Sequence, residues 1–228
     1  MAISEVYNQD CLVGMKNYPD KYFDLAVVDP PYFTGPEKRR YYGSEINKLN
    51  IRRKNYPISD NWHIPTKKYF RELNRISKNQ IIWGCNYFNY SFGTGRIIWD
   101  KVNQSSSFSD CEIAYCSLHD SVRLIRYMWN GMLQGKSLKE GHIMQGDKTK
   151  NEVRIHTTQK PILLYKWLLQ TYAKVGDKIL DTHMGSQSSR IAAFQMGFDY
   201  TGFEIDQIYF ESGCKRFDLI TSQQQLFI

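Results

Sequence analysis

Phe23-Asp24-Leu25-Ala26-Val27-Val28-Asp29-Pro30-Pro31-Tyr32 is the stretch that decides the fold. Leu25 to Val28 are apolar at consecutive positions, as a strand buried on both faces requires, and such strands belong to parallel sheets. Two prolines in a row cannot continue a ladder, because each lacks an N–H and fixes φ. The strand therefore stops at Asp29. A stiff turn then presents a carboxylate, backbone carbonyls and an aromatic ring at the strand's carboxyl end, where open α/β sheets bind ligands. That set of groups suits a flat heterocycle with an exocyclic amine.

The same pattern returns downstream. Lys178-Ile179-Leu180-Asp181 reads as a strand ending in an acid, and Thr182-His183-Met184-Gly185-Ser186 reads as a tight turn into a helix. Gly185 lets backbone approach a ligand, and the helix N-terminus offers free N–H groups. Tyr200 to Glu204 is another strand ending in an acid. It lies 23 residues past Asp181, and an acid at about that spacing binds ribose hydroxyls in βαβ cofactor sites. There is no G-x-G-x-x-G, so this is not a dinucleotide fingerprint.

Further strands read at Gln80–Trp83, Arg96–Trp99, Glu112–Cys116 and Tyr200–Phe203. Thr66 caps an expected helix from Lys67 to about Ser77, Pro161 opens a second that Gly176 stops, and Ser186 caps a third running to Gly197. The alternation of helix and strand predicts a doubly wound α/β sheet. Residues 34–66 and 119–155 show no clear period and read as long functional loops or small insertions.

The chain has 228 residues, 42% hydrophobic and 23% charged. That balance predicts one globular domain spanning 1–228. No apolar run has membrane length and no signal-peptide pattern opens the chain, which predicts a cytoplasmic protein. Net charge is +7, which favours a polyanionic partner. Lys38, Arg39, Arg40, Arg52, Arg53 and Lys54 crowd the segment after the Pro-Pro turn, with Tyr41, Tyr42 and Tyr56 among them. Phosphate-binding charge beside stacking rings suits nucleic acid. Five cysteines form no C-x-x-C pair and no histidine cluster has zinc spacing, so free thiols and no metal are expected. His156 and His183 read as structural histidines.

Taken together, these stretches resemble the amino-group DNA methyltransferases that use S-adenosylmethionine, in the permuted order of the β class. The resemblance rests on Asp29-Pro30-Pro31-Tyr32, Ile98-Trp99-Asp100-Lys101, His156-Thr157-Thr158-Gln159-Lys160-Pro161, Gly176 through Ser186, and Gly202-Phe203-Glu204-Ile205-Asp206. It runs from Asp10 to Asp206. Thr182, His183 and Gln187 stand where the family usually has Pro, Phe and a second Gly.

The resemblance implies a seven-stranded, largely parallel sheet flanked by helices, with one antiparallel strand. It implies a catalytic role for Asp29, Pro30 and Tyr32, with Phe33 supporting the base. Cofactor contacts carried over are Asp10, Cys11, Asp29, Thr158, Lys160, Asp181, Met184, Gly185, Ser186, Gln187 and Glu204, with Thr158 and Lys160 near the methionine end. The implied substrate is DNA with a flipped or single-stranded target base, contacted by residues 34–66 and 119–155. Asp29 favours adenine N6, since cytosine-N4 members more often carry Ser there. Cytosine N4, an RNA or protein amide, and a non-catalytic nucleic-acid-binding relic are the alternatives. Family members often form homodimers. The tail over 222–228 resembles sliding-clamp docking peptides through Gln223, Leu226 and Phe227, read as an extended segment with two apolar anchors.

Overall fold

The computed structural model describes residues 2–32, 56, 62–103, 109–130 and 133–225, with side chains described as far as residue 222. The elements, in order, are β1 (Ser4–Asn8), α1 (Cys11–Gly14), β2 (Phe23–Val28), α2 (Lys67–Ile76), β3 (Ser77–Trp83), β4 (Arg96–Asp100), β5 (Cys111–Cys116), β6 (Val122–Arg126), β7 (Trp129–Asn130), β8 (Leu133–Gln134), α3 (Ile162–Tyr172), β9 (Lys178–Asp181), α4 (Ser188–Gln195), β10 (Asp199–Glu204) and α5 (Gln207–Gln225).

The main sheet has the order β1-β10-β9-β2-β3-β5-β4-β6. Every described pairing in it is parallel except those of β5, which runs against both β3 and β4. The methyltransferase-like sheet expected from the sequence is present, with eight strands rather than seven. β1 and β6 are the two strands not read from the sequence, and β6 lies inside residues 119–155. That segment is therefore not structureless, since β6 extends the edge and β7 and β8 form a small hairpin.

β2 shows why the consecutive apolar residues were needed. Leu25 and Val27 pack into one core with Trp83, Trp99, Leu168 and Ile191. Ala26 and Val28 pack into the other, with Phe23, Tyr69, Phe70 and Phe203. The strand thus feeds both faces of the sheet, and each fully buried large apolar side chain contributes roughly 1.5–3 kcal/mol. At its start, Asp24 takes the Lys178 backbone N–H at 2.9 Å and the Lys78 ammonium at 2.6 Å. One carboxylate therefore pins β9 and β3 to either side of β2.

α2 and α3 appear where the sequence placed them. Thr66 precedes α2 without a side-chain cap bond, and Pro161 occupies the cap position of α3. α4 starts at Ser188 rather than after Ser186, because Gln187 adopts a left-handed φ of 59° and delays the first helical turn. α5 reaches Gln225, so Gln223 belongs to its last turn and not to an extended tail. Leu226 and Phe227 lie outside the described residues. No described helix is long and apolar enough to cross a membrane.

Candidate active site

β2 and β9 are parallel neighbours, with Leu25 opposite Ile179 and Ala26 opposite Leu180. Asp29 and Asp181 therefore emerge at the same rim of the sheet. The Pro-Pro turn and the glycine loop then line one cleft. A second lobe opens beside it and shares Pro31, His183, Glu204 and Ile205 with the first.

The Asp29 side of the cleft is a chain of alternating charges. Asp29 Oδ2 pairs with Lys160 Nζ. The same ammonium meets Glu112 Oε2 at 3.0 Å, and Glu112 Oε1 meets Lys101 Nζ at 3.1 Å. Burial alone would discharge Lys160, but Asp29 and Glu112 more than offset it and hold the ammonium above its ordinary pKa. Burial raises the Asp29 carboxyl, against the pull of Lys160. Asp29 Oδ1 is buried and has no hydrogen-bond partner among the described residues. Such an orphan acceptor costs roughly 1–3 kcal/mol unless a ligand completes it.

The glycine loop is built differently. Asp181 accepts from Ser189 Oγ at 2.6 Å and from the His183 N–H at 3.0 Å. Glu204 Oε2 accepts the Gly185 N–H at 2.8 Å, and Oε1 the Asp206 N–H at 2.9 Å. Burial pushes both carboxyls up to about 7. Burial also pushes His183 down to about 3 and His156 down to about 4, so both imidazoles are neutral at physiological pH. From α5, the buried Arg216 donates to the Ser186 carbonyl at 2.7 Å and pairs with Glu152 at 3.0 Å. The loop is thus clasped from behind.

The N6/N4 DNA methylase family model matches residues 54–215 of this sequence. The chain belongs to this family of DNA methylases. The type II methyltransferase M.HinfI of Haemophilus influenzae is 25% identical over 248 residues, covering 94% of this chain and 68% of that protein. Among solved structures, the M1.HpyAVI complex with S-adenosylmethionine superposes with a TM-score of 0.55 at 17% identity, over 94% of this chain and all (100%) of its own. The cytosine-N4-specific PvuII DNA methyltransferase gives 0.57 at 13% identity, over 95% and 87%. These two share the methyltransferase fold with this chain.

The residues expected from the sequence can now be placed on this methylase. Asp29, Pro30 and Tyr32 line the first lobe, with Thr158 and Lys160 opposite them. Met184, Gly185, Ser186 and Glu204 form its other wall. Asp10 and Cys11 line the second lobe, where Asp10 also caps α1 by accepting the Leu12 N–H at 2.7 Å. Burial raises the Cys11 thiol to about 12, so it stays protonated and is no nucleophile.

Asp181 and Gln187 do not line either lobe. Asp181 is buried beneath the loop and shapes it through Ser189 and His183. Gln187 turns away, donating to the Phe210 carbonyl at 3.2 Å. Lys160, expected at the methionine end, lines the cleft and also pairs with the Asp29 carboxylate. Phe33, Lys38, Arg39, Arg40, Arg52, Arg53 and Lys54 lie outside the described residues.

The chemistry of the cleft suits S-adenosylmethionine. Glu204 retains lone pairs for hydroxyl donors, Gly185 lines the cleft without a side chain, and the second lobe offers Asp10 to an adenine amine. The three departures from the family loop are absorbed locally. Thr182 Oγ1 bonds the Tyr69 hydroxyl at 2.6 Å and His183 Nδ1 at 2.9 Å. Gln187 takes the left-handed backbone that a glycine would supply.

Sequence reasoning missed two contributors beside Tyr32. Tyr87 stacks on the Tyr32 ring at 4.7 Å and 5°. Gly84 has a φ of 69°, and a Cβ there would fall 2.3 Å from Tyr32 Cδ1. Gly84 in Trp83-Gly84-Cys85-Asn86-Tyr87, just after a legible strand, was the available signal.

Proposed function

We propose that the protein methylates the N6 amine of adenine in DNA. The observation that supports this most directly is the orphaned Oδ1 of Asp29, a buried acceptor held by the Pro-Pro turn in the same cleft as the glycine loop. An exocyclic amine is a poor nucleophile because its lone pair is delocalised into the ring. Asp29 Oδ1 and the Pro30 carbonyl accept its two hydrogens and localise density on nitrogen. Acceptors already fixed in a dry site do this without reorganising. The Tyr32 ring, at the cleft wall, stacks on the base, and such stacking is worth about 1–3 kcal/mol.

When bound, S-adenosylmethionine supplies an electrophilic methyl carbon on a cationic sulfur. The substrate amine would take that methyl group, the sulfur leaving with the C–S pair as a neutral thioether. The nitrogen, now cationic, gives up a proton, and Asp29 is the nearest carboxylate to receive and relay it. Asp10 in the second lobe, and Glu204 and Gly185 in the first, would hold the cofactor, and Thr158, Met184 and Ser186 on the same cleft would contact it as well. A base within a duplex cannot enter this cleft, so the target is flipped or single-stranded. The similarity to M.HinfI favours a place in DNA modification beside a restriction activity.

The test is mass spectrometry of nucleosides from DNA incubated with the enzyme and cofactor. N6-methyladenine is expected. N4-methylcytosine would overturn the base assignment, a result that the fold shared with the PvuII enzyme makes worth measuring in the same run. Clamp docking through Gln223, Leu226 and Phe227 is a separate proposal. Recovery on immobilised clamp should be lost when the last six residues are removed, and equal recovery would reject it.

A further inference from the structure

We propose that Glu112, backed by Lys101, is a positioning residue for methyl transfer: it shares the Lys160 ammonium with Asp29 and so leaves Asp29 Oδ1 to the substrate amine. The inference rests on the reading of Asp29 as the amine acceptor.

The topology delivers these residues to the rim. All parallel strands of the main sheet point their carboxyl ends at the cleft, so the antiparallel β5 brings its amino end there. Glu112 is the second residue of β5 and sits opposite Trp99 of β4. Lys101 follows the last residue of β4. The two strands therefore bring an acid and a base to one point, beside the ammonium that β2's carboxylate already holds.

An ammonium has three N–H donors and no acceptor. With only Asp29 to satisfy it, Lys160 would swing onto both carboxylate oxygens and block the acceptor that the amine needs. Glu112 Oε2, at 3.0 Å an ion-pair partner rather than a hydrogen-bonded one, draws it off to one side by charge. Lys101 Nζ, at 3.1 Å from Oε1, fixes Glu112 in turn. With all four groups ionised the cluster is neutral, which makes its burial tolerable.

Lys101 is itself held with unusual firmness. Its N–H donates to the Asp110 carbonyl at 2.9 Å, and its carbonyl accepts from the Trp129 N–H at 3.3 Å. The next residue, Val102, has a φ of 53°, an outlier for a β-branched side chain. Asp100 pins it, with Oδ1 accepting the Val102 N–H at 2.8 Å and Oδ2 accepting Arg126 Nε at 2.7 Å. Backbone strain of this kind persists where the surroundings over-determine a position.

Among the described residues, the other titratable groups around Asp29 include Asp181 on β9, Tyr69 on α2 and Tyr165 on α3. Burial holds both phenols well above their ordinary pKa, so they stay neutral. His156 faces Lys160 and is neutral as well. Charge changes at residues 101 and 112 therefore act on Asp29 through Lys160 and through space.

The test uses the full chain, with kcat measured against pH on DNA and cofactor affinity measured by calorimetry. Glu112→Gln and Lys101→Met should each lower kcat about tenfold, as loss of a supporting partner does elsewhere, with cofactor affinity unchanged. Their acid limbs should move in opposite directions. Glu112→Gln removes a negative neighbour that raises Asp29, so its limb shifts to lower pH. Lys101→Met removes a positive neighbour that lowers Asp29, so its limb shifts to higher pH. Glu112→Asp, which keeps the charge but shortens the reach, should lower kcat with the limb in place. Limbs that stay at the wild-type pH, or that move together, would overturn the inference. Asp29→Ala in the same series separates the two levels: retained turnover removes the underlying reading, whereas lost turnover with unmoved limbs removes only the role of Glu112 and Lys101.

Discussion

The two loops at the rim differ in how completely they are satisfied. In the glycine loop, the Asp181 and Glu204 oxygens, the Gly185 N–H and the Ser186 carbonyl all find partners within the protein. Across the cleft, the Pro-Pro turn leaves Asp29 Oδ1 buried and unmatched. A loop that binds a cofactor can be a finished surface that the ligand meets. A turn that must polarise an amine has to keep an acceptor in reserve, at a cost to the fold that substrate repays.

The largest effect should come from removing that acceptor. Asp29→Ala is expected to reduce kcat by about 10²–10³-fold or more, by analogy with loss of a single oxyanion-hole group. Cofactor affinity should hold, because Glu112 still satisfies Lys160 after the change. Single-turnover kinetics and calorimetry on one preparation check both halves. An equal loss of binding would erase the contrast between the loops.

The next effect is smaller and concerns the ring beside the turn. Gly84→Ala puts a methyl group into the space of Tyr32 and forces a non-glycine residue to a φ of 69°. The backbone penalty alone is roughly 1–2 kcal/mol. With the Tyr32 ring displaced, kcat/KM for DNA should fall about tenfold, because base stacking is worth about 1–3 kcal/mol. Cofactor binding should not change, and unchanged kcat/KM would show that Tyr32 does not carry the base.

The glycine loop should instead respond to pH. The Glu204 carboxyl is raised to about 7, chiefly by burial. In the free protein it therefore protonates near neutrality, whereas hydroxyl donors of a ligand favour the ionised form. Cofactor affinity should rise as pH climbs through about 7 and then level off. One linked proton gives about a tenfold change between roughly pH 8 and pH 6. Asp181 titrates in the same range, so the control is Glu204→Gln. If calorimetry shows the same pH dependence in that variant, Glu204 is not the group responsible.

How much of this was legible in the sequence depends on burial. β2 and β3 lie inside the sheet and carry apolar runs that few other structures explain, while β9 and β10 were marked by the acids at their ends. β1 and β6 are its edges, and in β6 four of the five residues are exposed, so Val122-Arg123-Leu124-Ile125-Arg126 shows neither alternation nor an apolar block. α5 was missed for another reason. Tyr209, Gly213, Phe217 and Thr221 are buried at a spacing of four, but a glycine and a threonine in that stripe hide its period. The acids at the strand ends were readable because turn chemistry marks them. The Lys160–Glu112 pair was not, since it joins residues far apart in sequence by way of the one antiparallel strand.

The hidden stripe of α5 and the altered glycine loop are parts of one adaptation. Gln187 occupies a left-handed backbone, which costs a non-glycine residue roughly 1–2 kcal/mol. Its side chain recovers this by donating to the Phe210 carbonyl and accepting from Arg190 Nη1 at 2.9 Å. To do so it must lie against α5, and a Cβ on Gly213 would sit 2.7 Å from Gln187 Cγ. Gly213 is the space that Gln187 needs. Two opposed effects then govern Gly213→Ala: alanine is favoured over glycine by roughly 1 kcal/mol within a helix, but the methyl group must displace a packed, hydrogen-bonded side chain. With Gln187 in place the change should destabilise the protein by about 1 kcal/mol, as modest overpacking does. In a Gln187→Gly background the obstacle is gone, and the same change should stabilise by about 1 kcal/mol. Urea unfolding of the four proteins in a double-mutant cycle measures the coupling. Additive effects would mean that the two positions do not sense each other, and that the loop holds its shape without help from α5.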